Sequence, residues 1–197
     1  MTARGKLFII SGPSGSGKTS LIDDVLSKSI DFIRSVSVTT RPIRKGETGG
    51  SHYHFISSDE FNELIEKDML LEWAPYAGYL YGTPKKFVEE KLNQGKNVIL
   101  VIEVKGAMQV VKKAKDAYLI FITTSSYEEL EERIKKRGTD SPEEMEKRLK
   151  TAKEELDYMK YYDCIIVNNN YNEALLNLKK ILNTKRKGRQ ASEGRVC

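Results

Sequence analysis

Cysteine and histidine are scarce in this chain: its 197 residues hold only two of each. So few thiols argue against a disulfide-stapled scaffold and against a structural metal centre. Cys164 sits in the apolar run Cys164-Ile165-Ile166-Val167, where a small buried hydrophobe is expected, and Cys197 is the last residue. His52 and His54 alternate along a strand-like stretch with no third ligand nearby, which argues against a metal pair. No apolar run reaches the length of a membrane span, and Met1-Thr2-Ala3-Arg4-Gly5-Lys6 leads straight into a strand-like run without a secretory signal. A soluble, cytoplasmic protein with no membrane partner is expected, as a monomer or homodimer.

Excess charge is also missing from most of the chain. The formal charge is +5, but beyond Asn183 the residues Lys185, Arg186, Lys187, Arg189 and Arg195 stand against Glu193, a net of +4 that leaves +1 for everything else. The basicity is a property of the tail, and no specific nucleic-acid partner is expected. Residues 184–197 lack apolar periodicity and are rich in Lys, Arg, Gly and Ser, so they read as a disordered tail. The chain carries no internal repeat, and with 39% hydrophobic residues it can build one sizeable core with lobes attached.

What is present begins with Gly12-Pro13-Ser14-Gly15-Ser16-Gly17-Lys18-Thr19 directly after Lys6-Leu7-Phe8-Ile9-Ile10-Ser11. The pattern is G-x-x-x-x-G-K-(S/T) behind a strand, a loop that cradles the phosphates of a nucleotide such as ATP. A loop that wraps a polyphosphate must aim successive backbone N–H groups inward, and side chains would block that approach. Lys18 can reach the β- and γ-phosphates, and Thr19 offers a hydroxyl to Mg²⁺. The helix that opens at Thr19-Ser20-Leu21-Ile22 turns its positive dipole end toward the anion.

Apolar runs recur at Leu7–Ser11, Asn97–Val104, Tyr118–Thr123 and Cys164–Val167, with amphipathic segments of helical length between them. Such alternation predicts an α/β fold, a parallel sheet flanked by helices. Short β-like stretches at Ile33–Val38, His52–Ile56 and Leu70–Tyr76, with one helical piece at Ser58–Lys67, read as an inserted mixed β/α lobe. A second insertion is a helical hairpin. Its first helix spans Tyr127–Arg137, with Leu130 and Ile134 on one face and Arg133 and Arg137 on another. Gly138-Thr139-Asp140 breaks the helix, Ser141-Pro142-Glu143-Glu144 restarts it, and Met145, Leu149, Ala152, Leu156 and Met159 supply an apolar stripe.

The segment Ser35-Val36-Ser37-Val38-Thr39-Thr40-Arg41-Pro42-Ile43-Arg44-Lys45-Gly46-Glu47 sets two arginines beside a proline turn, where Arg41 and Arg44 can grip a small anion. Tyr53, Glu72-Trp73 and Gly78-Tyr79-Leu80-Tyr81-Gly82-Thr83 follow, a cluster of hydroxyls with one carboxylate. The phosphate loop, the S-x-T-T-R-x-x-R-x-G-E segment, E-W and G-x-x-Y-G-(S/T), in this order, resemble the guanylate kinases from about Lys6 to about Leu182. The resemblance implies ATP-dependent phosphorylation of GMP to GDP, with Mg²⁺. It also implies a core over about 1–34, 84–125 and 160–183, a GMP-binding lobe over about 35–83 and a lid over about 126–159. In that family the residues matching Arg41, Arg44, Tyr53 and Tyr81 hold the GMP phosphate, and those matching Ser37, Glu72 and Thr83 read guanine. Arg133, Arg137 and Arg148 match lid cations that meet the transferring phosphoryl group.

The chemistry of the two substrates agrees with these roles. Guanine presents two adjacent donors, N1–H and the 2-amino group, to a carboxylate such as Glu72, whereas adenine presents a bare nitrogen and is repelled. A phosphate monoester has a second pKa of about 6, so the acceptor needs no general base and catalysis reduces to alignment and charge stabilisation by Lys18, arginines and Mg²⁺.

Two positions depart from the family pattern. Where the family has acidic residues at both positions of an alternating pair, this chain has Val101 and Glu103, leaving Glu103 as the one carboxylate at the acceptor or the metal-bound waters. The other reading of Val101 is simple packing against a helix. The usual V-N-D is Val167-Asn168-Asn169, a change expected to alter a local hydrogen bond. Competing functions are a kinase for another phosphorylated acceptor and a non-catalytic scaffold whose acceptor lobe binds phosphopeptides. The guanine-directed polar set speaks against the first, the complete phosphate loop against the second.

Overall fold

The computed structural model describes residues 3–27, 29–44, 46–51, 53–76, 78–136, 142–185 and 195–196. Strands β1 (Leu7–Ser11), β7 (Asn97–Val101), β8 (Tyr118–Thr123) and β9 (Cys164–Val167) are joined by β2 (Phe32–Arg34) and β10 (Arg195–Val196) in a parallel sheet of order β10-β9-β8-β1-β7-β2. Side chains alternate across β1. Phe8 and Ile10 enter an apolar layer with Leu21, Ile22 and Val25 of α1 (Lys18–Leu26) and Ala174, Leu178 and Leu182 of α7 (Tyr171–Lys185). Leu7 and Ile9 enter the opposite layer with Val88 and Leu92 of α3 (Lys85–Asn93) and Val104, Ala107 and Val110 of α4 (Val104–Lys113). Helices cover both faces, which is why these strands read as unbroken apolar runs.

The lobe is a second sheet of order β4-β3-β6-β5, formed by β3 (Val38–Thr39), β4 (His54–Phe55), β5 (Leu70–Tyr76) and β6 (Tyr79–Pro84). Its own small core is Val38, Phe61 and Leu70 under α2 (Ser58–Glu66). That helix starts at a reciprocal cap: the Ser57 hydroxyl accepts from the Glu60 N–H at 3.2 Å, and the Glu60 carboxylate accepts from the Ser57 N–H at 2.7 Å. The hairpin comprises α5 (Tyr127–Lys136) and α6 (Pro142–Leu156), held by Leu130, Ile134 and Ala152 with Met145 and Leu149.

Several expectations are corrected. The stretch Ile33–Val38 is two strands in two sheets, β2 in the core and β3 in the lobe, so the chain leaves the core within it. The expected strand Asn97–Val104 stops at Val101, and Glu103 is the N-cap of α4 rather than a strand residue. Of the hairpin stripe, Leu156 and Met159 pack on the sheet's second layer and not on α5. In the segment expected to be a disordered tail, α7 continues through Thr184 and Lys185, and Arg195–Val196 pair with β9. Cys164 is buried as a small apolar side chain would be, but it is disulfide-bonded, against the expectation from the cysteine count. His52, the Gly138-Thr139-Asp140 break, Ser141 and Cys197 lie outside the described residues. Among the described residues no helix is long and apolar enough to cross a membrane.

Val101 packs against the apolar layer shared by α1 and α7. The packing reading of this position is therefore the one the fold supports, and a carboxylate there would have to be desolvated. Val101→Asp is expected to cost about 1–3 kcal/mol and lower the melting temperature by several degrees. An unchanged thermal melt would show that the position tolerates charge.

Candidate functional site

The parallel sheet ends its strands on one edge, and the loop after β1 lies there. Gly12 and Gly17 hold φ of +143° and +86°, a region that side-chain-bearing residues avoid. A Cβ on Gly12 would overlap the Ile122 carbonyl, and one on Gly17 the Asn168 side chain. No side chain caps α1 at Gly17, so the first-turn N–H groups remain open to an anion. The Lys18 ammonium donates to the carbonyls of Gly12 and, at 2.9 Å, Pro13. Thr19 and Ser20 are exposed, and Ser14, Gly15 and Gly17 are half-buried, while Pro13 and Ser16 are buried.

Neighbouring strand ends brace this loop. The Asn168 side chain donates to the Ser16 carbonyl at 2.8 Å, and its backbone N–H donates to Thr123 at 2.7 Å. Arg133 of α5 donates to the Asn168 carbonyl at 2.8 Å and to Glu129 at 2.6 Å, so this arginine is docked at the residue that braces the loop. Asn169 accepts from the Ser125 N–H at 2.9 Å through a side-chain oxygen, a bond that an aspartate would make equally well. Arg137 lies outside the described residues.

Across the site, the lobe gathers Arg41, Tyr53 and Tyr81. The Arg41 guanidinium, 6% exposed, lies 5.4 Å from the Tyr53 ring centre and 5.5 Å from that of Phe55, and the Tyr53 and Tyr81 rings meet edge to face at 5.7 Å. It also forks onto Glu47, at 2.7 and 3.0 Å. The Arg41 guanidinium holds the Glu47 carboxyl below its ordinary range. Glu47 closes the quoted arginine segment but was given no role from the sequence. Arg44 meets Glu47 through its backbone, its N–H donating to the carboxylate at 2.8 Å and its carbonyl accepting from the Glu47 N–H at 3.0 Å, and its side chain is exposed. Ser37 is half-buried and accepts from the His54 N–H through its carbonyl at 2.9 Å.

Glu72 and Thr83 face each other across the antiparallel β5–β6 pair, and the Thr83 hydroxyl donates to Glu72 Oε1 at 2.6 Å. A register shift between Leu70 and Glu72 lets Leu70, Leu71 and Glu72 all turn inward, and Trp73 faces outward. Burial pushes the Glu72 carboxyl up to about 7, against the opposing pull of the Thr83 hydrogen bond.

A further carboxyl, unassigned from the sequence, comes from the helical hairpin. Glu155 of α6 is 7% exposed and lies against Glu103 and the Val104 N–H. Burial, followed by the Glu103 charge and a hydrogen bond to it, raises the Glu155 carboxyl well above the carboxylate range. Lys18 also bears on Glu155, and Tyr76 feels Glu103, Arg148 and Glu155 with its hydroxyl beside Ser14. Burial pushes that tyrosine up to about 12. Glu72 and Tyr76 of the lobe and Glu155 of α6 thus all bear on Glu103 of the core. Glu155 lies beside the apolar stripe residue Leu156, and only the fold of that helix onto the sheet shows its burial.

A family model described as guanylate kinase matches residues 4–185. The chain belongs to the guanylate kinase family. It is 48% identical over 179 residues to a guanylate kinase of Synechococcus sp., covering 91% of this chain and 82% of that one. It is 44% identical over 183 residues to a guanylate kinase of Thermotoga maritima, with 93% and 88% covered. The crystal structure of guanylate kinase from Anaplasma phagocytophilum superposes with a TM-score of 0.77 at 31% identity, covering 95% of this chain and 89% of that one. In this guanylate kinase family member the expected α/β class, with its parallel sheet and added mixed sheet, is confirmed.

The raised Glu72 pKa yields a pH dependence with a definite sign. Below about 7 the carboxyl is protonated and one of its two acceptor oxygens is lost, so kcat/KM for GMP is expected to fall toward acid with an apparent pKa close to 7. An acid raised from 4.5 on folding contributes stability that is whole below 4.5 and is lost as the pH rises through about 7. Glu72→Gln should therefore raise the melting temperature over the parent at pH 8 and by less at pH 5. Equal shifts at both pH values would contradict the assignment.

Proposed function

We propose that this chain transfers the terminal phosphoryl group of ATP to GMP, and also to dGMP, giving ADP and the nucleoside diphosphate. The observation that carries the reading is the buried Glu72–Thr83 pair in a lobe facing a complete phosphate loop. In this reading Gly12 to Ser20 hold the ATP phosphates. Ser37, Glu72 and Thr83 read guanine, and Arg41, Arg44, Tyr53 and Tyr81 hold the acceptor phosphate. Arg133, Arg137 and Arg148 approach from the lid at 126–159, and Glu103 lies at the acceptor side.

Lys18 is already held over the loop by two carbonyls, so it exchanges those partners for phosphate oxygens without having to be gathered from solvent. Arg41 releases Glu47 in the same way when a dianion arrives. The acceptor oxygen needs no base, and the chain's work is to align it, exclude water and stabilise the equatorial charge of the transferring group.

The loop's donor chemistry suits magnesium: the Thr19 hydroxyl is exposed in the first turn of α1, a hard oxygen beside uncapped N–H groups. Bound there with the nucleotide, Mg²⁺ would neutralise charge on the β- and γ-phosphates.

Two measurements test the reading. ADP formation with GMP, dGMP, AMP, UMP and dTMP as acceptors is expected only with the two guanine nucleotides at low concentration, and a preference for any other acceptor overturns it. Lys18→Ala is expected to lose about 10²–10³ in kcat while keeping the parent melting temperature. Near-normal turnover would take the loop out of the mechanism.

A further inference from the structure

We infer that Gly106, in the first turn of α4, is a positioning residue for base specificity, because its missing side chain leaves the slot in which the Glu72 carboxylate sits. The inference rests on Glu72 as the guanine reader. Gly106, Gln109 and Lys113 lie three and four residues apart, on one face of α4, and that face lies along β5. The Gln109 side chain brackets Trp73, accepting from its N–H at 3.2 Å and donating to its carbonyl at 2.6 Å. Lys113 donates to the Leu70 carbonyl at 3.5 Å. One turn earlier on the same face, Gly106 is buried against Glu72. A Cβ there would overlap Oε2 of Glu72 and come within 2.9 Å of its Cδ.

The backbone does not demand glycine here. Gly106 is helical and has no positive φ, and glycine within a helix costs about 1 kcal/mol relative to alanine. Close approach is what requires it. The helix cannot retreat to admit a methyl group, since the Gln109 bracket ties it to β5 and Val104, Ala107 and Val110 are buried in the sheet's second layer. The carboxylate is the part that yields: it is the end of a side chain, held on its far oxygen by Thr83 alone among the described hydrogen bonds. A methyl at 106 therefore drives Glu72 off Thr83 and away from the place where a base edge would meet it.

The test is a double-mutant cycle of Gly106→Ala and Glu72→Ala, read by steady-state kinetics with GMP and AMP and by thermal melts. Gly106→Ala is expected to lower kcat/KM for GMP about tenfold or more, carried by KM. The value for AMP, kcat at saturating GMP and KM for ATP should stay within about twofold of the parent. In the Glu72→Ala background the second change should lower neither GMP turnover nor the melting temperature, because the overlap is gone. Parent-like GMP kinetics in Gly106→Ala, or the same loss in both backgrounds, overturns the inference. If the single variant does not fold, the double variant must fold, and its failure also overturns the inference. Loss of GMP preference in Glu72→Ala with Gly106→Ala silent leaves the guanine reading intact and removes only the role of Gly106. An equal loss for GMP and AMP in Glu72→Ala removes both.

Discussion

The pairing of β1 with β7 and β8 runs in parallel, Phe8 opposite Ile99 and Tyr118, Ile10 opposite Val101 and Ile120. That register carries three chain segments out of the core at the same level, and a fourth joins them where β9 pairs with β8. Gly12 leaves β1 there, Glu103 follows β7, Thr124 follows β8 and Asn168 follows β9. Parallel strands place such loops together at their carboxyl ends, where α/β sheets bind ligands. The phosphate loop is therefore braced by backbone and amide groups from its neighbours, which side chains of its own could not provide.

Buried charge organises the rest of the cleft. Arg41, Glu72 and Glu155 are each less than a tenth exposed, and each is met by a specific group: Glu47, Thr83 and Glu103. An ionised group taken from water without a partner is costly, and a carboxyl can respond by keeping its proton. The three groups differ in how they respond. Arg41 keeps its charge beside a counter-ion, Glu72 is shifted to the middle of the neutral range, and Glu155 is pushed beyond it. Arg41 thus stays a cation, while the Glu72 and Glu155 carboxyls are both raised by burial.

The four core strands were legible because burial on both faces leaves unbroken runs of Leu, Ile, Val and Phe. Tyr118–Thr123 and Cys164–Val167 have the bounds their composition suggests. The phosphate loop and the Glu72–Thr83 pair were legible too, the second through motif order and not through any periodicity. What failed depended on contacts distant in sequence. Nothing local in Ile33–Val38 signals that its first residues pair with Val98 and Ile99 and its last residue with Gly82. Glu155 is flanked by Lys153, Glu154 and Asp157 and looks solvated until α6 folds onto the sheet. Gly106 carries no turn signal, and only the approach of Glu72 gives it meaning. Glu47 was visible in the sequence, but the residue types alone do not reveal its bond to Arg41.

The bidentate Arg41–Glu47 contact gives the buried guanidinium of the lobe its own counter-ion. A guanidinium that is 6% exposed would otherwise be stranded, and the carboxylate supplies its counter-charge. On the role proposed for Arg41, binding at this position is a swap of one anion for another. The internal competitor is tethered six residues away in the chain, and no change in solution conditions dilutes it. Weakly charged or singly charged intruders, chloride among them, must outbid a fork-shaped partner already in place. On that proposed role, the Glu47 carboxylate sets a threshold that an incoming dianionic ester has to exceed.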